Sequence, residues 1–162
     1  MQKWTAFMTP GAAHQRLNDR VGAWSLVVKM YEPGAPEPMS STATSEMRWA
    51  MDGRYIEDNT TGSFQGSTFI GHGFVGYDNL KQRYVSVWMD NMGTGISTGD
   101  GQWDEATQSF VYTTMVPDFA GGGWMKARSI EKRVDANHYV MQLYQPGPDG
   151  EYLSMEIEYA RM

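Results

Sequence analysis

Three histidines, a handful of carboxylates and a few arginines are the side chains of this sequence that could do chemistry. His72 stands between Gly71 and Gly73, and flanking glycines let another group approach the backbone closely. His138 opens an apolar stretch beside Val140, and His14 lies in a segment with helical spacing. Such histidines fit a general base or an axial haem ligand, and they equally fit hydrogen-bonded structural residues, the commoner case. The three are far apart and lack the His-x-His or His-x-x-x-His spacing of a metal site. Tyr77, Asp78, Tyr84, Trp88 and Asp90 form the densest aromatic stretch. It reads either as a ligand-binding wall with a carboxylate at its rim, or as a hairpin with Asp78-Asn79 in the turn and its rings in the core. Glu46 and Arg48 share one strand face, and Arg128 lies between Ala127 and Ser129. These charges fit a group that orients a polar ligand head, or a solvated outer face.

Glu57, Asp58 and Asp90 give no recognisable acid–base pair at this level. There is no Gly-x-Ser-x-Gly, no P-loop and no dinucleotide fingerprint. Cysteine is absent, which excludes disulfides, thiolate nucleophiles and thiolate metal sites. No catalytic residue is therefore assigned. The candidate ligand-binding residues are His72, Tyr84, Trp88, Asp90, Arg128 and His138. No metal or cofactor is expected, with haem as the alternative.

These residues must be held by strands. One helix is expected over about 10–21, capped by Thr9, with Pro10 in its first turn and Gly22 ending it. Beyond Gly22 the apolar period becomes two. Ala23–Tyr31 reads as a strand, and Met39, Ala43, Met47, Trp49 and Met51 mark a second before the Asp52-Gly53 turn. Arg54–Phe64, Thr68–Tyr77, Tyr84–Asp90, Gly95–Trp103, Ser109–Met115, Trp124–Val134, His138–Gln145 and Glu151–Arg161 follow, separated by turn-like breaks. Asp100-Gly101 fits a bulge or a further turn. Tyr84–Asp90 is apolar on both faces, which suggests burial on both sides. About ten strands at hairpin spacing, with no helix between them, exclude a parallel α/β sheet. They favour one closed, antiparallel up-and-down β-barrel over about 22–161, in a single domain spanning 1–162. Closure also removes the open edges of long apolar strands.

Composition agrees. The chain has 162 residues, an ordinary single-domain length, with 13% aromatic residues and 18 glycines, as hairpin-rich β-structure requires. The net charge of −6, with no basic cluster, argues against nucleic acid or an anionic membrane as partner. Residues 1–20 contain no apolar signal segment, and no apolar run reaches membrane-spanning length, so a cytoplasmic location is expected. A homodimer is compatible with everything above.

Gly22-Ala23-Trp24 after a short helix resembles the Gly-x-Trp signature of lipocalins and their calycin relatives. The resemblance implies that a basic residue of the last strand covers the Trp24 indole at the closed end, and Arg161 is placed for that role. Three blocks resemble the bacterial domain of unknown function 1579 family: Trp49-Ala50-Met51-Asp52-Gly53-Arg54-Tyr55, Gly71-His72-Gly73-Phe74-Val75-Gly76-Tyr77-Asp78 and Trp88-Met89-Asp90-Asn91-Met92-Gly93-Thr94-Gly95. That likeness implies a lipocalin-like barrel and supplies no catalytic residues. The 13 methionines, several at strand period, suit an adaptable apolar cavity or an irregular core. The expected function is binding of a small apolar or amphipathic molecule inside the barrel, as carrier or sensor. The alternatives are an enzyme or haem barrel using His72, His138 or Asp90, and a structural or interaction module.

Overall fold

The computed structural model describes residues 2–162. Two short helices, α1 (Gln2–Met8) and α2 (Ala12–Gln15), lead through a 3-10 segment, Arg16–Arg20, into the first strand. The strands are β1 (Gly22–Met30), β2 (Met39–Ala50), β3 (Tyr55–Phe64), β4 (Ser67–Asp78), β5 (Arg83–Asp90), β6 (Ser97–Asp104), β7 (Ser109–Asp118), β8 (Gly123–Arg133), β9 (His138–Gly147) and β10 (Gly150–Arg161). Each pairs antiparallel with its chain neighbours, and β1 pairs with β10, so the ten strands close into an up-and-down barrel. Every strand end thereby acquires a partner, and no edge is left to template aggregation.

The helical lead-in differs from the expectation. Thr9 does not cap a helix: its hydroxyl donates back to the Thr5 carbonyl at 2.7 Å. α2 starts after Gly11, whose backbone N–H donates to His14 Nδ1 at 3.1 Å. The sequence offered one helix because Pro10 resembles a helix start, whereas here it separates two short ones. Asp100-Gly101 is neither bulge nor turn, since Asp100 pairs in regular register with Val85 and Thr113. β7 also runs on to Asp118, through residues read from sequence as a turn.

Register fixes which parity points inward. Trp24 and Leu26 of β1 are buried, while Ser25 and Val27 between them are exposed. Carried round the ladder, that parity places Met47, Ile56, Val75, Tyr84, Tyr112, Tyr139 and Tyr159 inside as one core at the end plugged by α2 and the 3-10 segment. Leu17, fully buried, is the plug's main apolar side chain. On β5, Tyr84, Ser86, Trp88 and Asp90 point inward, while Val85, Val87 and Met89 point outward. The outward set is half-buried by its neighbours on the same wall, with Phe74 directly opposite Val87.

Candidate functional site

The plugged end is held by aromatic rings and a few buried polar bonds. Trp24 donates its indole N–H to the Arg20 carbonyl at 2.8 Å and meets Tyr139 edge-on at 5.0 Å. Arg161 lies against the other side of the indole, its guanidinium carbon 4.2 Å from the ring centroid. The same guanidinium donates to the carbonyls of Val21 at 2.8 Å and Asp19 at 3.0 Å. Gly22 makes room for it: φ there is +140°, and a Cβ would collide with the Arg161 side chain. Gly22, Trp24 and Arg161 thus meet where the first strand joins the last.

Above the plug lies a polar layer. Arg20 forms an inward ion pair with Glu131, and both side chains are largely buried. Asp58 of β3 shares the inner parity of Ile56. Its Oδ1 accepts hydrogen bonds from Ser45 at 2.6 Å and Thr60 at 2.8 Å. No hydrogen bond from the described residues reaches its Oδ2. Burial pushes the Asp58 carboxyl above its ordinary value, against the two hydroxyls and Arg20, which favour the charged form. Tyr139 and Tyr159 stack at 3.9 Å beside this layer, and burial raises the pKa of both phenols. The Tyr112 hydroxyl is buried here beside Arg20, and burial raises its pKa.

Toward the open end the inner face changes character. Val28, Met30, Ala43, Phe64, Phe69, Trp88, Met125, Met141, Met155 and Ile157 share the inward parity of the plugged core, yet are only half-buried. Val28, Ala43, Met141 and Ile157 pack against the plugged core, and Met125, Met141 and Met155 pack against a second buried cluster of Val116, Ala127 and Leu143. Met30, Phe64, Phe69 and Trp88 are left half-exposed on the inner face at the open end of the lumen. Trp88 lies flat on the inner wall, where Cβ atoms at Gly71 or Gly73 would collide with its ring. It stacks on Phe69 and donates Nε1–H to Asp90 Oδ2 at 3.0 Å. Asp90 Oδ1 accepts from the Met92 backbone N–H at 2.9 Å, which fixes the carboxylate at the mouth.

The six candidate ligand-binding residues thus separate. Trp88 and Asp90 meet inside the lumen. Tyr84 points inward but belongs to the plugged core, its hydroxyl donating to the Ala13 carbonyl at 3.0 Å. His72 points out of the barrel, because its parity is opposite to that of Val75 and Gly73. There its Nδ1 lies 2.8 Å from Asn59 Oδ1, and its Nε2 lies 3.6 Å from Glu57, which also pairs with Arg48 at 2.8 Å. That pairing holds the Glu57 carboxyl below its ordinary value. Arg128 is on the outer wall, paired with Glu151 at 2.8 Å and stacked over Tyr144. It borders a shallow outer concavity of about 690 Å³ with Arg83, Asp100 and Lys126. His138 sits at the β8–β9 turn, 2.9 Å from Asp135. His14 is buried in the plug, edge-on to Tyr77. No histidine therefore faces the lumen, and no cluster of metal-ligating side chains occurs among the described residues.

Sequence reasoning weighed Asp58 as a carboxylate without assigning it a role, and passed over Arg20 and Glu131. The two charges are separated by most of the chain, and only closure of the barrel brings them together. The Asp58-x-Thr60 spacing was the one local signal, a carboxylate and a hydroxyl on the same strand face.

No helix among the described residues is long and apolar enough to cross a membrane. No curated protein matches the chain. A family model described as "Protein of unknown function (DUF1579)" matches residues 9–161, the plug and every strand of the barrel. The chain belongs to the DUF1579 family, and its closed ten-stranded barrel fits a lipocalin-like fold.

Proposed function

We propose that this protein binds a small apolar or amphipathic molecule in the open half of its barrel, as a carrier or sensor. The observation that supports this most is the partial exposure of inward side chains at the open end, such as Met30, Met39, Phe64 and Phe69, in a barrel whose other end is packed solid. Unfilled apolar lining is unfavourable in water, and a ligand that covers it is stabilised by the area it buries. Methionine suits the role, since its flexible thioether adapts to different shapes. The mouth carries exposed apolar side chains, Phe119 at 95% and Met92 at 55% among them, consistent with entry of an apolar molecule. Trp88 supplies a built-in reporter.

Native mass spectrometry and a thermal-shift panel of lipids and metabolites test the reading. The expected result is a ligand that raises the melting temperature, quenches or shifts Trp88 emission, and loses affinity in Ala43→Trp, where an indole projects into the lumen. A crystal structure with the open half filled by side chains would overturn it.

A further inference from the structure

The lumen has a polar floor, and the floor has a sign. Charged side chains on its inner face include Arg20 from the 3-10 segment, Asp58 from β3, Asp90 from β5, Asp118 from β7 and Glu131 from β8. Arg20 is already committed to Glu131. The other nearby cation, Arg161, lies beneath Trp24 and is committed to backbone carbonyls. Asp58 at the floor and Asp90 and Asp118 at the mouth form no ion pair among the described residues, although Arg20 lies near enough to Asp58 to favour its charged form. Asp90 has both oxygens occupied by N–H donors, whereas Asp58 keeps Oδ2 unbonded.

We propose that the lumen selects apolar molecules ending in a protonated amine, which Asp58 Oδ2 receives, and that it discriminates against carboxylates. This rests on the lumen being the binding site. A ligand carboxylate would enter a low-dielectric space past Asp90 and stop beside Asp58, with no free cation to meet it. A ligand ammonium would find the one unbonded carboxylate oxygen of the floor, already oriented by Ser45 and Thr60. The Tyr112 hydroxyl is buried in the same layer beside Arg20. The rings of Tyr139 and Tyr159 at the floor, and of Trp88 and Phe69 on the wall, are surfaces that attract a cation. The groups that face Asp58 are Ser45 from β2, Thr60 from β3, Arg20 from the 3-10 segment, and Tyr139 and Tyr159 from β9 and β10. His72 acts through the wall from outside.

The test displaces the uncharged fluorophore N-phenyl-1-naphthylamine from the full chain with three ligands of one chain length: dodecylamine, dodecanol and dodecanoate. Dodecylamine should displace the dye at a concentration lower than dodecanoate by about tenfold or more, with dodecanol between them. Asp58→Asn should remove the advantage of the amine and leave dodecanol unchanged. In the unaltered protein, the affinity for the amine should fall from about pH 7 to about pH 4 as carboxylates protonate, while that for dodecanol holds. That arm decides the matter even if Asp58→Asn does not fold. Dodecanoate equal to or tighter than dodecylamine, or an amine advantage that survives Asp58→Asn or acidification, would overturn the selectivity and leave the lumen reading standing. Failure of the dye and all three ligands to bind would remove the lumen reading itself, and the selectivity with it.

Discussion

Trp24 and Arg161 are directly opposed across the β1–β10 seam, and the guanidinium carbon lies 4.2 Å from the centroid of the indole ring. This contact joins the two ends of the strand order and ties them to the plug, through the Trp24 N–H on the Arg20 carbonyl and the Arg161 donors on Val21 and Asp19. Trp24→Ala should destabilise the fold by about 3–5 kcal/mol, as aromatic truncation in a core does. Arg161→Ala loses a cation–π contact of about 0.5–2 kcal/mol together with its hydrogen bonds to carbonyls. Because the residues touch, a double-mutant cycle by urea unfolding should give a coupling well away from zero. Strictly additive losses would mean that the seam does not close at this pair.

The buried pair of Arg20 and Glu131 should respond asymmetrically. Glu131→Ala alone leaves Arg20 without its partner in the core and should cost about 3–5 kcal/mol. Replacing both, Arg20→Met with Glu131→Leu, should recover most of that loss, because neither charge is then stranded. Equilibrium urea midpoints of the three variants decide this, and a double variant no more stable than Glu131→Ala would contradict it.

His14 should make the fold sensitive to mild acid. Burial holds its imidazole below the ordinary value of 6.5, and its Nδ1 is occupied as the acceptor of the Gly11 N–H. The unfolded chain therefore takes up this proton more readily than the folded one. The contribution of His14 is fully present above pH 6.5 and is lost as pH falls through the lower folded value. His14→Gln, which can still accept from Gly11, should show a shallower loss of stability between about pH 7.5 and about pH 5 than the parent. Equal slopes in chemical denaturation across that range would rule out His14 as the origin.

Asp58 should behave in the opposite way. Its folded carboxyl sits above the ordinary 3.8, so the folded chain binds this proton more readily than the unfolded one. The charged form is therefore a burden that grows as pH rises above 3.8 and is complete once pH exceeds the folded value. Asp58→Asn keeps an oxygen for Ser45 and Thr60, and should gain stability relative to the parent over that rise. A difference between the two proteins that is flat with pH would show that Asp58 is not the strained group. Retaining an unfavourable carboxylate at the floor is what a site kept for binding rather than stability would show.

Gly71 should prove intolerant of a side chain. A Cβ there would collide with the Trp88 ring, which Asp90 holds at 3.0 Å through Nε1. Gly71→Ala should displace the indole from the wall, shift its emission toward that of a solvated tryptophan, and cost about 1–3 kcal/mol. Unchanged emission would mean that Trp88 does not lie against β4.

What the sequence determined by itself was the run of alternating strands, their turns and the closure pair. Met39 to Ala50 alternates cleanly because one face is packed and the other solvated, and a period of two is then visible in composition. Asp52-Gly53 and Asp78-Asn79 signalled turns through local chemistry; Asp78 Oδ1 accepts from the N–H groups of Leu80 and Lys81. Gly22, Trp24 and Arg161 were legible because that arrangement belongs to the fold family. The tertiary structure alone decided which way each parity points. On β5 both parities are apolar, so composition cannot separate Tyr84 and Trp88 from Val85 and Val87; pairing with β4 does so. The same registration turns His72 outward, away from any lumen, and Asp58 inward. Alternation fixes which residues share a face but not whether that face is the inner one, and charges far apart in the chain, such as Arg20 and Glu131, meet only when the barrel closes around the plug.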